Sequence, residues 1–398
     1  MIIMNQAQIE KLRQDTPGCN HVLHFNNAGA ALSPLPVIDA IKEHLNLEAN
    51  IGGYEAARLA QNKVEKIYNK AAQLLNCTPD EIAFMENATR AWDMIFYSFK
   101  FNKGDRIMTG QAEYASNYLA FLHVAKHTGA IIDVVKNDSY GQLDVEDLKN
   151  KMDDKVRLIA ITHIPTQGGL VNPAIEIGQI AKKFNIPYLL DATQSMGQMP
   201  IDVNQINCDF ICATGRKFLR GPRGTGFLYI RKSIIDKYEP PFIDLHSAEW
   251  IANDKYRLRE DAKRFETWEQ YIAGKIGLGV AIEYALEIGL HVIGERIVYL
   301  ANYLRTQLSE IPSIELQDLG KTKCGIVTFT CKHTSAAEIQ KQLADKKINV
   351  SISLLEYARL DLEKRNLPAV VRASVHYYNT EDEILRFCQE LKSICQKG

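Results

Sequence analysis

Seven short apolar runs punctuate the first half of the chain, at residues 81–85, 106–109, 131–135, 158–162, 188–190, 210–213 and 226–230. Several show little period-two alternation, the pattern of strands buried on both faces. Helical periodicity fills the intervals. Trp92, Ile95, Phe96 and Phe99 share one face of segment 88–99, and segment 173–184 has the same character. This alternation predicts an α/β domain on a mostly parallel, seven-stranded sheet, with ligands held at the carboxyl ends of its strands. After about residue 240 the texture changes. Long helices are predicted over 269–310, then a strand over 324–330, a helix over 335–346 and a strand ending near Val375. A last helix starts at Thr380, where Thr380-Glu381-Asp382-Glu383 forms a capping box. The second half therefore reads as a smaller α+β lobe. The expected division is an N-terminal segment 1–20 joining the small domain, a large domain 21–265 and a small domain 266–398.

Bulk properties narrow the function classes. The chain has 398 residues, 46% of them apolar, enough for a large core. Its net charge of −1 gives no basic surplus for a nucleic acid. No window approaches ~18 uninterrupted apolar residues, so no membrane span is expected. The first fifteen residues turn charged early and lack the apolar core of a signal peptide. The eight cysteines are scattered from Cys19 to Cys395 without a C-x-x-C pair. Reduced thiols in a cytoplasmic protein follow, rather than a metal cluster or a disulfide framework.

Candidate chemistry starts at Lys217, on the glycine-punctuated turn Thr214-Gly215-Arg216-Lys217 just past the run 210–213. Desolvation and the neighbouring cations Arg216, Arg220 and Arg223 would lower its pKa, as a Schiff-base amine requires. A basic anion-binding loop is the alternative. Asp191 bears on that choice. It ends the apolar run 188–190, and a buried carboxylate there needs a partner such as a pyridinium N–H. Asn87-Ala88-Thr89 lies between a predicted strand and a predicted helix, where free backbone N–H groups make an anion site. Thr214 offers a second hydroxyl beside Lys217.

These motifs, in this order, resemble the class V aminotransferase superfamily of fold-type I pyridoxal-5′-phosphate (PLP) enzymes. The resemblance runs from Phe25-Asn26-Asn27-Ala28-Gly29 to the segment Val371-Arg372-Ala373-Ser374 and on to Thr380. Its most specific parts are Asp191-Ala192-Thr193-Gln194-Ser195, Gly215-Arg216-Lys217 and Gly221-Pro222-Arg223-Gly224-Thr225-Gly226. It implies that Lys217 carries PLP as a Schiff base and that Asp191 partners the pyridine nitrogen. Gln194 would bond the phenolic oxygen. Ala88, Thr89 and Thr214 would bind the phosphate, with Arg216 beside them in place of a common histidine. Arg372 would grip the substrate's α-carboxylate, and Asn27 would approach the substrate. A homodimer is implied as well.

Departures from the family pattern shape the functional expectation. Tyr114 stands where a histidine usually stacks on the cofactor; a phenol stacks as well but relays protons poorly near neutral pH. Thr166 and Gln167 replace a segment that often carries asparagine, and either is a candidate to contact the cofactor. Phe265-Glu266-Thr267 replaces the glycine–threonine pair that reaches the partner subunit's phosphate. No cysteine occurs between Cys331 and Cys388, where cysteine desulfurases carry a nucleophile. With the segment Tyr357-Ala358-Arg359-Leu360-Asp361-Leu362, this absence suggests the branch of isopenicillin N epimerase-like proteins and ergothioneine-type C–S lyases, not a persulfide-forming desulfurase. There Arg359 would face a polar tail of the substrate, or else pair with Asp361 or Glu363 at the surface. The leading expectation is a β-eliminating C–S lyase of a cysteine derivative. Epimerase, aminotransferase and PLP-binding protein without turnover are the alternatives.

Overall fold

Two amphipathic helices, α1 (Leu35–Ile51) and α2 (Gln61–Leu75), precede the sheet in the computed structural model, which describes residues 4–395. The extreme ends of the first and last expected segments, 1–3 and 396–398, lie outside the described residues. The seven apolar runs become β1 (Ile82–Met85), β2 (Arg106–Thr109), β3 (Ile131–Val134), β4 (Val156–Thr162), β5 (Tyr188–Asp191), β6 (Phe210–Thr214) and β7 (Gly226–Ile230). They form one sheet in the order β1-β7-β6-β5-β4-β2-β3. The pairings from β6 through β3 are parallel. β7 runs antiparallel to both β1 and β6. The architecture is α/β with a mostly parallel central sheet, as the alternation predicted.

Weak alternation along the strands has a direct cause: both faces of the sheet are covered. Ile159, Ile161, Leu190 and Ile211 pack into one apolar cluster. Their neighbours Leu158, Ala160, Leu189 and Phe210 pack into a second, with Trp92 and Phe96 of α3 (Ala88–Phe96) and Phe121 of α4 (Ala115–Thr128). Helix α5 (Ala174–Phe184) adds Ile177 and Ile180 to the first cluster.

The small lobe holds a four-stranded antiparallel sheet of β8 (Ile314–Leu316), β9 (Ile326–Cys331), β10 (Ser351–Leu354) and β11 (Ala369–Ser374), in the order β8-β9-β11-β10. Two long helices link the lobes, α6 (Ile272–Ile288) and α7 (Leu290–Ser309). α6 packs on α1 and α2, whereas α7 packs on the last helix, α9 (Glu381–Cys395), beyond α8 (Ala336–Asp345). The packing partners of the two helices change at Gly289, whose φ of 92° suits the break between them. Near the start of the chain Arg13 donates to the Tyr378 carbonyl at 2.7 Å, and Leu23–His24 pairs with Ile348–Asn349. Among the described residues no single helix is long and apolar enough to cross a membrane.

Candidate active site

A cleft of about 510 Å³ opens at the carboxyl ends of the central strands. β6 ends at Thr214, and the chain then turns sharply to present Lys217. The Gly221 amide donates to the Gly215 carbonyl at 2.8 Å and the Arg220 amide to the Lys217 carbonyl at 2.9 Å. Gly215 is required in this turn: a Cβ there would lie 2.4 Å from the Thr225 hydroxyl oxygen. Lys217 is 8% exposed and lines the cleft. Burial first, and then the charges of Arg216 and Arg372, bring its amine down to about 7, against the opposing pull of Asp191. The expectation that Arg220 would share in this is corrected. Its guanidinium is directed elsewhere, donating to Leu32 O at 2.7 Å and Tyr377 OH at 2.6 Å. Arg223 lies on the cleft but opposes charge on Arg216 rather than directly on Lys217.

Asp191 ends β5, one strand away, and is 4% exposed. Its Oδ1 accepts from the Thr193 amide and its Oδ2 from Asn117 Nδ2, both at 2.9 Å. On the next turn Gln194 donates to Ala28 O at 3.1 Å and to the Thr166 hydroxyl at 3.2 Å. At the far side Asn87 caps α3, accepting from the Arg90 amide at 2.8 Å. The first amides of the helix, at Ala88 and Thr89, have no place in its own ladder. Gly226 permits this proximity, since a Cβ there would lie 3.1 Å from the Asn87 backbone and 2.5 Å from the Ala213 oxygen. Arg216 donates to Thr214 Oγ1 at 3.1 Å. Tyr114 caps α4 without a side-chain bond and lines the same cleft.

Thr166 also lines the cleft, and Arg372 of β11 donates to its hydroxyl and to its carbonyl, the latter at 3.3 Å. Asn26 Oδ1 lies 3.4 Å from the other guanidinium nitrogen of Arg372. All these partners are neutral. Burial and the charge of Arg216 bring Arg372 down to about 10.

Four expected residues do not line the cleft, and of these Arg372 alone touches it, through Thr166. Asn27 is fully buried and bonds Ser374 O at 2.7 Å and the Tyr378 hydroxyl, so its neighbour Asn26 is the one near Arg372. Gln167 turns away from Thr166 to donate to Asp361 at 3.2 Å. Arg359 is 61% exposed and lies 3.8 Å from Glu363, the surface pair rather than a substrate contact. Conversely, Asn117, Thr162 and Thr193 line the cleft without having been singled out. Asn117 and Thr162 share a partner in Glu113, which lies just before the Tyr114 cap of α4.

The polar atoms test whether a cofactor fits. Gln194 Oε1, Thr193 Oγ1 and Arg372 Nε are buried without a hydrogen-bond partner. Unmet buried polar atoms cost about 1–3 kcal/mol each; Thr193 and Gln194 line the cleft and Arg372 bonds its Thr166, so the group marks a site completed by a polar ligand. A cationic wall, a buried lysine, a carboxylate and a helix N-terminus suit PLP in particular, with its phosphate, aldehyde and ring nitrogen.

The aminotransferase class-V family model matches residues 23–387. The chain belongs to this family. A "Probable cysteine desulfurase" of Methanothermobacter thermautotrophicus is 31% identical over 98% of this chain and 98% of that protein. Another so named, from Pyrococcus abyssi, is 32% identical over 97% of each. The apo structure of a cysteine desulfurase from Thermococcus onnurineus superposes with a TM-score of 0.90 at 29% identity, covering 98% of both chains. These relatives overturn the assignment to the epimerase and ergothioneine-lyase branch and its separation from the desulfurases. That assignment weighed a few residues before Arg372, whereas the kinship extends over nearly the whole length. The chain is a PLP-dependent enzyme of the class V type.

Proposed function

We propose that the protein cleaves the Cβ–S bond of L-cysteine or a cysteine-derived amino acid. The observation that carries the reading is the pairing of Lys217, its amine brought down to about 7, with Arg372, a buried guanidinium beside the cleft whose bonds are all to neutral groups. The names of its relatives point to cysteine. Arg372 presents a planar fork suited to an α-carboxylate. Lys217 Nζ, largely unprotonated above pH 7, takes the proton from Cα. PLP, when bound, supplies an electron sink conjugated to that carbon. Asp191 holds the proton of the ring nitrogen, and the free Gln194 Oε1 and Thr193 Oγ1 meet polar groups of cofactor or substrate. Thr89, Thr214, Arg216 and the first amides of α3 bind the phosphate, and Tyr114 covers the ring. Loss of the Cβ–S electron pair to sulfur then follows from charge placed at Cα.

Purified holoprotein supplied with L-cysteine and dithiothreitol should release sulfide. Pyruvate and ammonia released in step with sulfide are the products of this elimination, whereas alanine would mean that the electron pair stayed on carbon and the sulfur passed to a thiol acceptor such as dithiothreitol. No sulfide from cysteine, cystine or their close derivatives, with pyridoxamine phosphate accumulating instead, would overturn the proposal.

The same reading includes a second copy of the chain and, with eight free thiols, a cytoplasmic setting. Leu245, Trp250 and Trp268 are 73%, 72% and 58% exposed, large apolar side chains left open to solvent. Phe242 is exposed in the same segment, its ring 5.1 Å from the Arg90 guanidinium on α3, the helix whose first residues line the cleft. A homodimer with its cleft at the interface is the occupant this favours. Leu245→Glu with Trp250→Glu should shift sedimentation from dimer to monomer; a wild-type monomer would refute it.

A further inference from the structure

Glu113 has no part in the steps above, yet it is the most heavily bonded carboxylate near the cleft. It is 4% exposed. Its Oε2 accepts from the Thr109 hydroxyl and the Thr162 amide, both at 3.1 Å. Its Oε1 accepts from the Tyr114 amide and from Asn117 Nδ2, both at 2.9 Å, and from the Thr162 hydroxyl. Every one of these groups is neutral. When ionised, a carboxylate held by five neutral donors has no adjacent cation to screen its charge.

Asn117 makes this charge relevant to the cleft. Its Nδ2 lies 2.9 Å from Glu113 and 2.9 Å from Asp191 Oδ2. The two N–H bonds of one amide are thus spent on two buried carboxylates, with Asn117 itself 2% exposed. The arrangement arises locally. Glu113 ends the turn after β2, Asn117 lies one helical turn on in α4, and Tyr114 between them faces the cleft. Two buried carboxylates sharing one donor influence one another: the charge of Asp191 opposes that of Glu113. By reciprocity, a charge on Glu113 strengthens the field that Asp191 presents to a cation beyond it.

We propose that Glu113 is a positioning residue for Asp191: through the Asn117 amide it sets the negative charge held behind the cofactor's ring nitrogen. The two carboxylates act as one unit, and the proton on the ring is retained by both. Burial, partly offset by the bonds from Thr162 and Asn117, puts Glu113 at about 7. The titratable groups facing it are Asp191 and Tyr188 of β5 and Cys212 of β6; burial pushes Tyr188 and Cys212 far up, so both stay neutral near pH 7. The inference rests on PLP binding and is independent of which amino acid is cleaved.

The test follows the ring nitrogen itself. Holoprotein loaded with ¹⁵N-labelled PLP is titrated by NMR without substrate, alongside its visible spectrum. The wild-type ring resonance should show a step near pH 7 as Glu113 gains its proton. In Glu113→Gln that step should vanish, and the pH at which the ring nitrogen loses its proton should fall by about one unit, a tenfold change in proton affinity. Asn117→Leu keeps both carboxylates but removes a donor from Glu113, so the step should move to higher pH. A merely structural role would lower the melting temperature and leave these titrations in place. A Glu113→Gln titration superimposable on wild type overturns the proposal. Should that variant fail to fold, an unmoved step in Asn117→Leu overturns it equally.

Discussion

Lys217→Ala is expected to abolish the visible absorption of the lysine-bound cofactor and to lower kcat/KM by roughly a thousandfold or more, since a general base alone contributes about 10²–10⁴. Two losses combine. The covalent attachment point disappears, and so does the amine that takes the Cα proton. Borohydride reduction should fix the cofactor to the Lys217 peptide in the wild type and to no peptide in the variant. The pH profile supplies an independent check. A lysine near its usual pKa would be almost wholly protonated at neutral pH, whereas burial and the charges of Arg216 and Arg372 bring this one to about 7. Wild-type activity should therefore rise with pH through about 7 on its acid limb. An unchanged spectrum in Lys217→Ala would remove the cofactor assignment altogether.

That Lys217 could be picked out from the sequence follows from where it lies. It comes directly after a strand whose burial on both faces leaves a continuous apolar run, and Asp191 ends the neighbouring one in the same way. β2 and β7 have the bounds that their runs predicted, because such strands are delimited by polarity alone. Strand direction is not written in polarity, and the antiparallel course of β7 emerges only from its pairings. The hairpin formed by Ala248–Ala252 and Lys255–Leu258 went unread for a related reason. It is largely exposed, so burial never imposed a pattern on it.

Errors of one residue in the site have a similar origin. Thr166 and Gln167 are adjacent in an irregular loop, where no periodicity fixes side-chain direction. The choice between them is made by Asp361, far along the chain. Asn26 and Asn27 are separated likewise by contacts with β11. The cations acting on Lys217 show the same limit. Arg220 is three residues away in sequence and points elsewhere, whereas Arg372 arrives from the other lobe. For Arg359 the sequence left a substrate contact and a surface pair equally open, although Glu363 stands four residues on, the spacing of an exposed helical pair.

Arg372→Gln carries the second large expectation and separates two roles of one side chain. The guanidinium that would grip the substrate carboxylate is also one of the charges lowering Lys217. Truncating a buried, charge-paired contact costs about 3 kcal/mol, roughly a hundredfold in kcat/KM, and the loss should appear chiefly as a raised KM. PLP should remain bound, because the groups assigned to the phosphate and the ring nitrogen are untouched. Removing the positive charge also relieves repulsion of the Lys217 ammonium, so the Lys217 pKa should rise and the acid limb should shift upward from about 7. A raised KM without a moved limb would mean that the charge does not reach Lys217. Loss of PLP with substrate affinity unaltered would contradict the assigned grip. Both changes together require one guanidinium close to the substrate carboxylate and to the amine that acts on Cα, which is the arrangement that joins the small lobe to the chemistry of the large one.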